Sequence, residues 1–421
     1  MIWIRKIALL SIYAAVLGFT SSLSPADLPR ASPEEVGMSS ARLKSMHRFV
    51  SESVESYPLT GAITLVARHG KVVDLTTYGY QDIRQGTPMR EDGIFALASM
   101  TKTIVSAGAM ILVEQGKIRP ADPIEKYLPE FRKPRVFVRT ENDQPTTRSA
   151  KSPILVRHLL THTAGWPANG KGTPDLARLY AADDFRNASS LEDLVAKLSA
   201  LPLQDDPGTA YVYGPAIDVL GALIQRVSGM PLEDFLQQHL FGPLNMSDTF
   251  FEVPADKRNR LVQMFSTQNG QLVYAERPNA HGDRHRHYPS GGGGLYSTVA
   301  DYYRFAQMLL DGGELEGERV LGPKSIERMS TNLIRDEANN TSWHNDQESG
   351  FGLGVSVKKD QAYSSTLSSL GTYGWSGYAS TLFFVDPEED LIAVFMSQHV
   401  PTNPKQSWQT YTNLVYQAIV E

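Results

Sequence analysis

The chain contains no cysteine. This excludes a thiol nucleophile, a thiolate metal site and lipid attachment to cysteine. A domain of this size buries enough surface to fold without disulfides, so the absence leaves the compartment open. A dominant charge is missing too: 40 Lys plus Arg stand against 46 Asp plus Glu, for a formal net charge of −6. With no long run of one sign, nothing marks a nucleic-acid partner and none is expected. The sequence also lacks His-Glu-x-x-His, a glycine loop ending in Gly-Lys-Ser/Thr, and the Gly-x-Ser-x-Gly turn of an α/β-hydrolase. There is no internal repeat.

Long apolar runs are nearly absent, with one exception from Ile7 to Phe19 that Ser11 and Gly18 interrupt. Arg5 and Lys6 precede it, and Thr20, Ser21, Ser22 and Ser24 follow. As a helix this run reaches about 20 Å, short of a hydrocarbon core of about 30 Å. The pattern reads as an export signal over residues 1–26, removed near Ser22 to Ala26. A periplasmic or secreted protein with no stable membrane span after signal removal is the expectation. An uncleaved anchor is the alternative.

What remains, residues 27–421, is expected to form one domain of two lobes. Helical periodicity covers Ser40 to Ser53. Gly61 to Gly70 and Lys71 to Tyr80 read as strands around a His69-Gly70 turn. Tyr378 to Val385, Leu391 to Gln398 and Gly350 to Lys358 read as further strands, and a last helix fits Gln406 to Val420. Between the ends, Thr101 to Gln115, Val156 to Thr161, Leu191 to Leu201, Ala216 to Ser228 and Leu232 to Leu240 are helical in pattern. Arg139 to Ser152 and Asn332 to Ser349 read as polar surface loops. The expected fold is therefore α+β. Both chain ends build an antiparallel sheet lobe (about 33–100 and 290–421), flanked by the terminal helices, with a mostly helical lobe (about 101–289) inserted.

Ser99-Met100-Thr101-Lys102 opens the nearly all-apolar helix that runs on from Thr103. Residues three apart on a helix share a face, so a serine hydroxyl and a lysine amine can meet there. Serine becomes a nucleophile when a base takes its proton, and a desolvated lysine can serve because burial favours its neutral form. A second Ser-x-x-Lys, Ser356 to Lys359, lies in a strand-like stretch where residues three apart face opposite ways. Taken alone, Ser99 also fits a plain helix cap with Lys102 as an exposed first-turn residue.

Further along come Tyr211-Val212-Tyr213-Gly214 and Gly374-Trp375-Ser376-Gly377. The order resembles the serine β-lactamase and penicillin-binding-protein superfamily. Leu159 to Gly165, Pro207-Gly208-Thr209 and Gly291 to Thr298 resemble its class C-like branch. Family VIII carboxylesterases are the nearest likeness, from about Pro33 to the C-terminus. The resemblance implies a β-lactamase/transpeptidase-like fold and places Ser99 on the nucleophile, Lys102 on the motif lysine and Tyr213 on the tyrosine that shares proton transfer. It places Trp375, Ser376 and Gly377 on the substrate-binding third motif, and the backbone N–H groups of Ser99 and Tyr378 on the oxyanion hole. Tyr211 is the competing phenol.

Two departures bear on substrate. Where β-lactamases and peptidases carry a cationic Lys or a His, Trp375 stands here; where they carry Asn, Pro215 stands. A carboxylate finds no fixed positive partner in Trp375, which favours a neutral ester. The expectation is a carboxylesterase for short-chain neutral esters working through an acyl-enzyme without a cofactor. A β-lactamase or D-alanyl-D-alanine carboxypeptidase, and a silent binding protein on the same scaffold, are the alternatives. His158 and His162, four apart, suggest a metal face only weakly, and His281, His285 and His287 read as a solvated basic loop, so no metal is expected. The glycine run from Gly291 is expected to let backbone pass close to the site.

Overall fold

The computed structural model describes residues 28–55, 59–141, 144–168, 172–182, 185–275, 287–334, 348–400 and 404–421. The expected export signal, His281, His285 and most of the loop expected over 332–349 lie outside these residues.

Helix α1 (Ser40–Glu55) is followed by strands β1 (Gly61–Arg68), β2 (Lys71–Asp82) and β3 (Thr87–Pro88). The C-terminal part of the chain adds β4 (Ser349–Phe351), β5 (Ser356–Lys358), β6 (Tyr373–Gly377), β7 (Thr381–Asp386) and β8 (Leu391–Ser397). These eight form one antiparallel sheet in the order β4-β5-β6-β7-β8-β1-β2-β3. The two chain ends thus meet where β8 pairs with β1, Ala62 opposite Ser397.

Every residue of β1 and β8 is buried, which is why their sequences run almost continuously apolar instead of alternating. Leu65, Val394 and Phe383 face one core, shared with α2 (Thr101–Glu114), α3 (Ala216–Ser228) and α4 (Val299–Leu310). Val66, Ala393 and Phe384 face the other, closed by Leu43, Met46 and Val50 of α1 and by Tyr411 and Val415 of α5 (Pro404–Tyr416). Burying a Leu- or Val-sized side chain contributes roughly 1.5–3 kcal/mol, so these two faces hold the layers together. α2 is buried from Thr101 through Leu112. A helix that is apolar all round belongs in the interior.

The antiparallel sheet, the terminal helices on one face and the helices inserted between the strand sets follow the expectation. Several details differ. Gly350 to Lys358 is a hairpin, with Ser349 opposite Lys358. The strand expected from Tyr378 begins at Thr381, and Tyr373–Gly377 forms a separate strand before it. Arg139 to Ser152, expected as loop, contains much of a hairpin in which Arg135–Glu141 pairs with Gln144–Ser149. Most of its residues are exposed, with Val136 buried in the core and Phe137 packed against it, and its polar residues gave no hydrophobic alternation to read. The stretch expected to be helical also carries the strands Phe265–Gln268 and Gln271–Tyr274.

Candidate active site

Ser99 sits in a single 3-10 turn, Ala98–Met100, that runs directly into α2. The turn is fixed from several sides. Leu97 N–H donates to Leu295 O at 2.9 Å. Thr381 Oγ1 donates to Leu97 O at 3.0 Å, and Tyr302 Oη to Met100 O at 3.1 Å. Ala98 adopts φ +47°, a left-handed conformation uncommon outside glycine, which the surrounding contacts hold in place.

One helical turn on, Lys102 is buried and its Nζ donates to Ser99 Oγ at 3.1 Å. It also donates to the carbonyl oxygen of Gly292. Tyr213 Oη donates to Ser99 Oγ at 2.7 Å, and its ring lies 4.8 Å from Lys102 Nζ. Hydroxyl, amine and phenol are therefore in mutual reach. Such a cluster can carry a serine proton away and return it to a leaving group, which is acyl-transfer chemistry. The helix-cap reading fails, because Lys102 is buried against Ser99 and not exposed.

Tyr213 is held by its neighbours. Val212 N–H donates to His162 O at 2.7 Å and Ala168 N–H to Tyr213 O at 2.9 Å. A Cβ at Gly214 would stand 2.2 Å from Trp166 O, so only glycine lets the chain pass there. Tyr211, the competing phenol, is buried against Phe351, ring centres 5.2 Å apart, and burial pushes its phenol well above the usual value.

Trp375 and Gly377 lie on the face of β6 that meets the Ser99 turn. The Trp375 ring is 5.9 Å from Tyr213 and 5.1 Å from Phe351, and a Cβ on Gly377 would stand 2.3 Å from Leu97 O. β5 pairs with β6 at Tyr373 and Gly374, so the partner strand stops short of the Trp375–Gly377 stretch. Tyr378, next in the chain, is exposed. Ser376 differs from the expectation. It pairs with Leu382, whose side chain packs with the α1 and α5 core, and it lines a cavity with Trp408 and Thr412 of α5. Alternation along the strand turns its side chain to the face opposite Ser99.

The glycine run passes close by, as expected. Cβ atoms at Gly291 and Gly292 would stand 2.5 Å from Ile217 O and 2.4 Å from Asp218 Oδ2. Two features were missed in the sequence: the Gly292 carbonyl on Lys102, and Asp218, whose Oδ1 accepts from Ser290 Oγ at 2.6 Å and Gly292 N–H at 3.1 Å. A buried acid in the first turn of α3, five residues past Tyr213, was the available signal. Pro215 occupies the N-cap of that helix.

His158 and His162 do not share a helix face. The helix ends at Leu160, and His162 adopts φ +53° with its ring 4.7 Å from that of Tyr213. Burial, helped by Arg157, holds His158 down to about 4, and its Nδ1 accepts from Leu155 N–H at 3.1 Å. Among the described residues no group of three or more His, Asp or Glu side chains is arranged to hold a metal ion.

The beta-lactamase family model matches residues 46–416. An uncharacterized protein of Mycobacterium tuberculosis is 36% identical over 361 residues, covering 84% of this chain and 89% of its own. Esterase EstB of Burkholderia gladioli is 32% identical over 348 residues, covering 78% and 83%. Among solved structures, EstCE1, described as a hydrolase with promiscuous acyltransferase activity, superposes with a TM-score of 0.76 at 24% identity, covering 90% of this chain and 99% of its own. On the extent of the family match and the identity to these relatives, the chain belongs to the beta-lactamase family.

Proposed function

We propose that this protein is a serine hydrolase, specifically a carboxylesterase for short-chain neutral esters, acting through an acyl-enzyme on Ser99. The observation that carries the reading is the convergence of Lys102 Nζ and Tyr213 Oη on Ser99 Oγ, at 3.1 and 2.7 Å.

In the proposed mechanism the Ser99 proton passes to the Lys102–Tyr213 pair as Oγ bonds to the ester carbonyl carbon. The carbonyl oxygen takes the negative charge and is met by the backbone N–H groups of Ser99 and Tyr378. The C–O bond to the alcohol breaks, and the alcohol leaves with the proton. Water then attacks the acyl-enzyme, giving its proton to the same pair, and the acid departs as Ser99 regains a proton. No cofactor enters.

Trp375 supports an ester over an anionic substrate. It brings an apolar ring where a carboxylate would need a cation, and the relative EstB is an esterase by name. The leader over residues 1–26 supports a periplasmic or secreted location. Among the described residues no helix is long and apolar enough to cross a membrane.

Two measurements test the proposal. A fluorophosphonate should label the wild-type protein, and Ser99→Ala should abolish labelling. p-Nitrophenyl butyrate should turn over faster than nitrocefin; the reverse order would overturn the ester assignment in favour of a β-lactamase.

A further inference from the structure

We infer that Asp218 is a positioning residue for this reaction: it fixes the Gly292 carbonyl that aims the Lys102 amine at Ser99. The inference rests on the serine-hydrolase reading above and concerns how its base is held.

Lysine is a long flexible side chain, and a base at the end of four rotatable bonds is poorly aimed unless something other than its target holds it. Here that holder is Gly292 O. A carbonyl oxygen only accepts, so it must take one N–H of the amine. This directs the remaining positions on nitrogen, including the lone pair of the neutral form, toward Ser99 Oγ.

A carbonyl within a glycine run cannot fix its own direction, because each glycine leaves the backbone free. The peptide that carries this carbonyl is tied through the Gly293 N–H to Ser290 O at 3.2 Å, and Asp218 in turn holds both Ser290 and Gly292. Its Oδ1 accepts from the N–H of Gly292 itself and from the hydroxyl of Ser290, so both ends of the bend 290–292 are tied to one atom on α3. The fit leaves no slack. A methyl on Gly292 would overlap the Asp218 carboxylate, and one on Gly291 would overlap the Ile217 carbonyl. Asp218 is itself buried, and its N–H donates to Pro215 O at 3.0 Å, at the start of the helix that follows Tyr213. One carboxylate thereby couples the segment that carries Tyr213 to the loop that holds Lys102. Among the described residues, the ionisable groups these contacts place around the amine are Tyr213, Asp218 behind the glycine bend, and His162 on the Tyr213 ring.

The test uses the full chain and reads kcat, KM and the pH profile with p-nitrophenyl butyrate. Asp218→Asn keeps an acceptor oxygen in place but replaces the carboxylate by an amide; Asp218→Ala removes both. The alanine variant should lose kcat by about tenfold to a hundredfold with KM changed little, since a displaced base costs rate and not binding. The asparagine variant should recover part of the loss. In both, the acidic limb of kcat/KM should move to lower pH, because the protonated amine loses support. A purely structural role would lower the melting temperature and leave that limb in place. Should the alanine variant fail to fold, the asparagine variant decides. An asparagine variant with wild-type kcat and an unmoved acidic limb overturns the inference. If wild-type protein neither turns over the ester nor takes the fluorophosphonate label, it is the serine-hydrolase reading that fails.

Discussion

Replacing Tyr213 by phenylalanine isolates the phenol from everything else in the site. The ring keeps its places beside His162 at 4.7 Å and Trp375 at 5.9 Å, so packing is preserved. What disappears is the O–H at 2.7 Å from Ser99 Oγ, leaving Lys102 at 3.1 Å as the bonded neighbour. Loss of one partner in general acid–base transfer costs about 10²- to 10⁴-fold, or roughly 3–5 kcal/mol of barrier. Stability should change by only about 1 kcal/mol, the net worth of one hydrogen bond. Stopped-flow hydrolysis of p-nitrophenyl butyrate, read beside a urea melt, separates the two effects. Tyr211→Phe is the matched control: the same atom is removed two residues away, from a phenol packed against Phe351, and the rate should stay within about twofold, since no transition-state contact is lost. If Tyr213→Phe kept more than about a tenth of the wild-type rate while Lys102→Met kept none, the phenol would lie outside the proton path. If Tyr211→Phe fell as far as Tyr213→Phe, the wrong phenol would have been chosen.

Two further outcomes follow from burial. Asp301 is pushed up to about 7 from 3.8 by its burial, against the pull of the Thr249 hydroxyl and Asp248 N–H that bond its Oδ2. A carboxyl raised on folding gives stability that is full below pH 4 and is lost as pH rises through 7. Urea melts of wild type against Asp301→Asn should therefore show wild type losing ground over that interval, by on the order of 4 kcal/mol; a pH-independent difference would refute the assignment. Trp375→Ala empties a ring site packed against Tyr213 and Phe351. It should cost about 3–5 kcal/mol in a denaturant melt, and a cost under about 1 kcal/mol would show that the ring is not part of the packed wall.

Much of the frame was legible because its strands are buried on both sides. β1 and β8 announce themselves as apolar runs, and α3 was found from Ala216 to Ser228 with both ends correct. The Ser99–Lys102 pair was legible because helical spacing alone brings residues three apart together. Position along β6 was harder. Trp375-Ser376-Gly377 reads as one motif, yet a strand's alternation divides it, and the face of Ser376 became clear only from its pairing with Leu382. The hairpin at 135–149 carried no period to detect. Asp218 offered only its place in the first turn of α3: its partners, Ser290 and Gly292, lie 72 and 74 residues away, and no local pattern joins a carboxylate to a distant glycine bend.

The distances along the chain between bonded groups have a consequence for when reactivity begins. Ser99 meets Tyr213 across 114 residues, Lys102 meets Gly292 across 190, and Leu97 meets Thr381 across 284. Contacts so remote form late, since each must first close a long loop. A chain still emerging from the ribosome carries the serine and the lysine early, but neither the phenol, the carbonyl nor the strand that completes them. The proposed hydrolysis would therefore begin only with the last strands in place, as a property of the finished molecule.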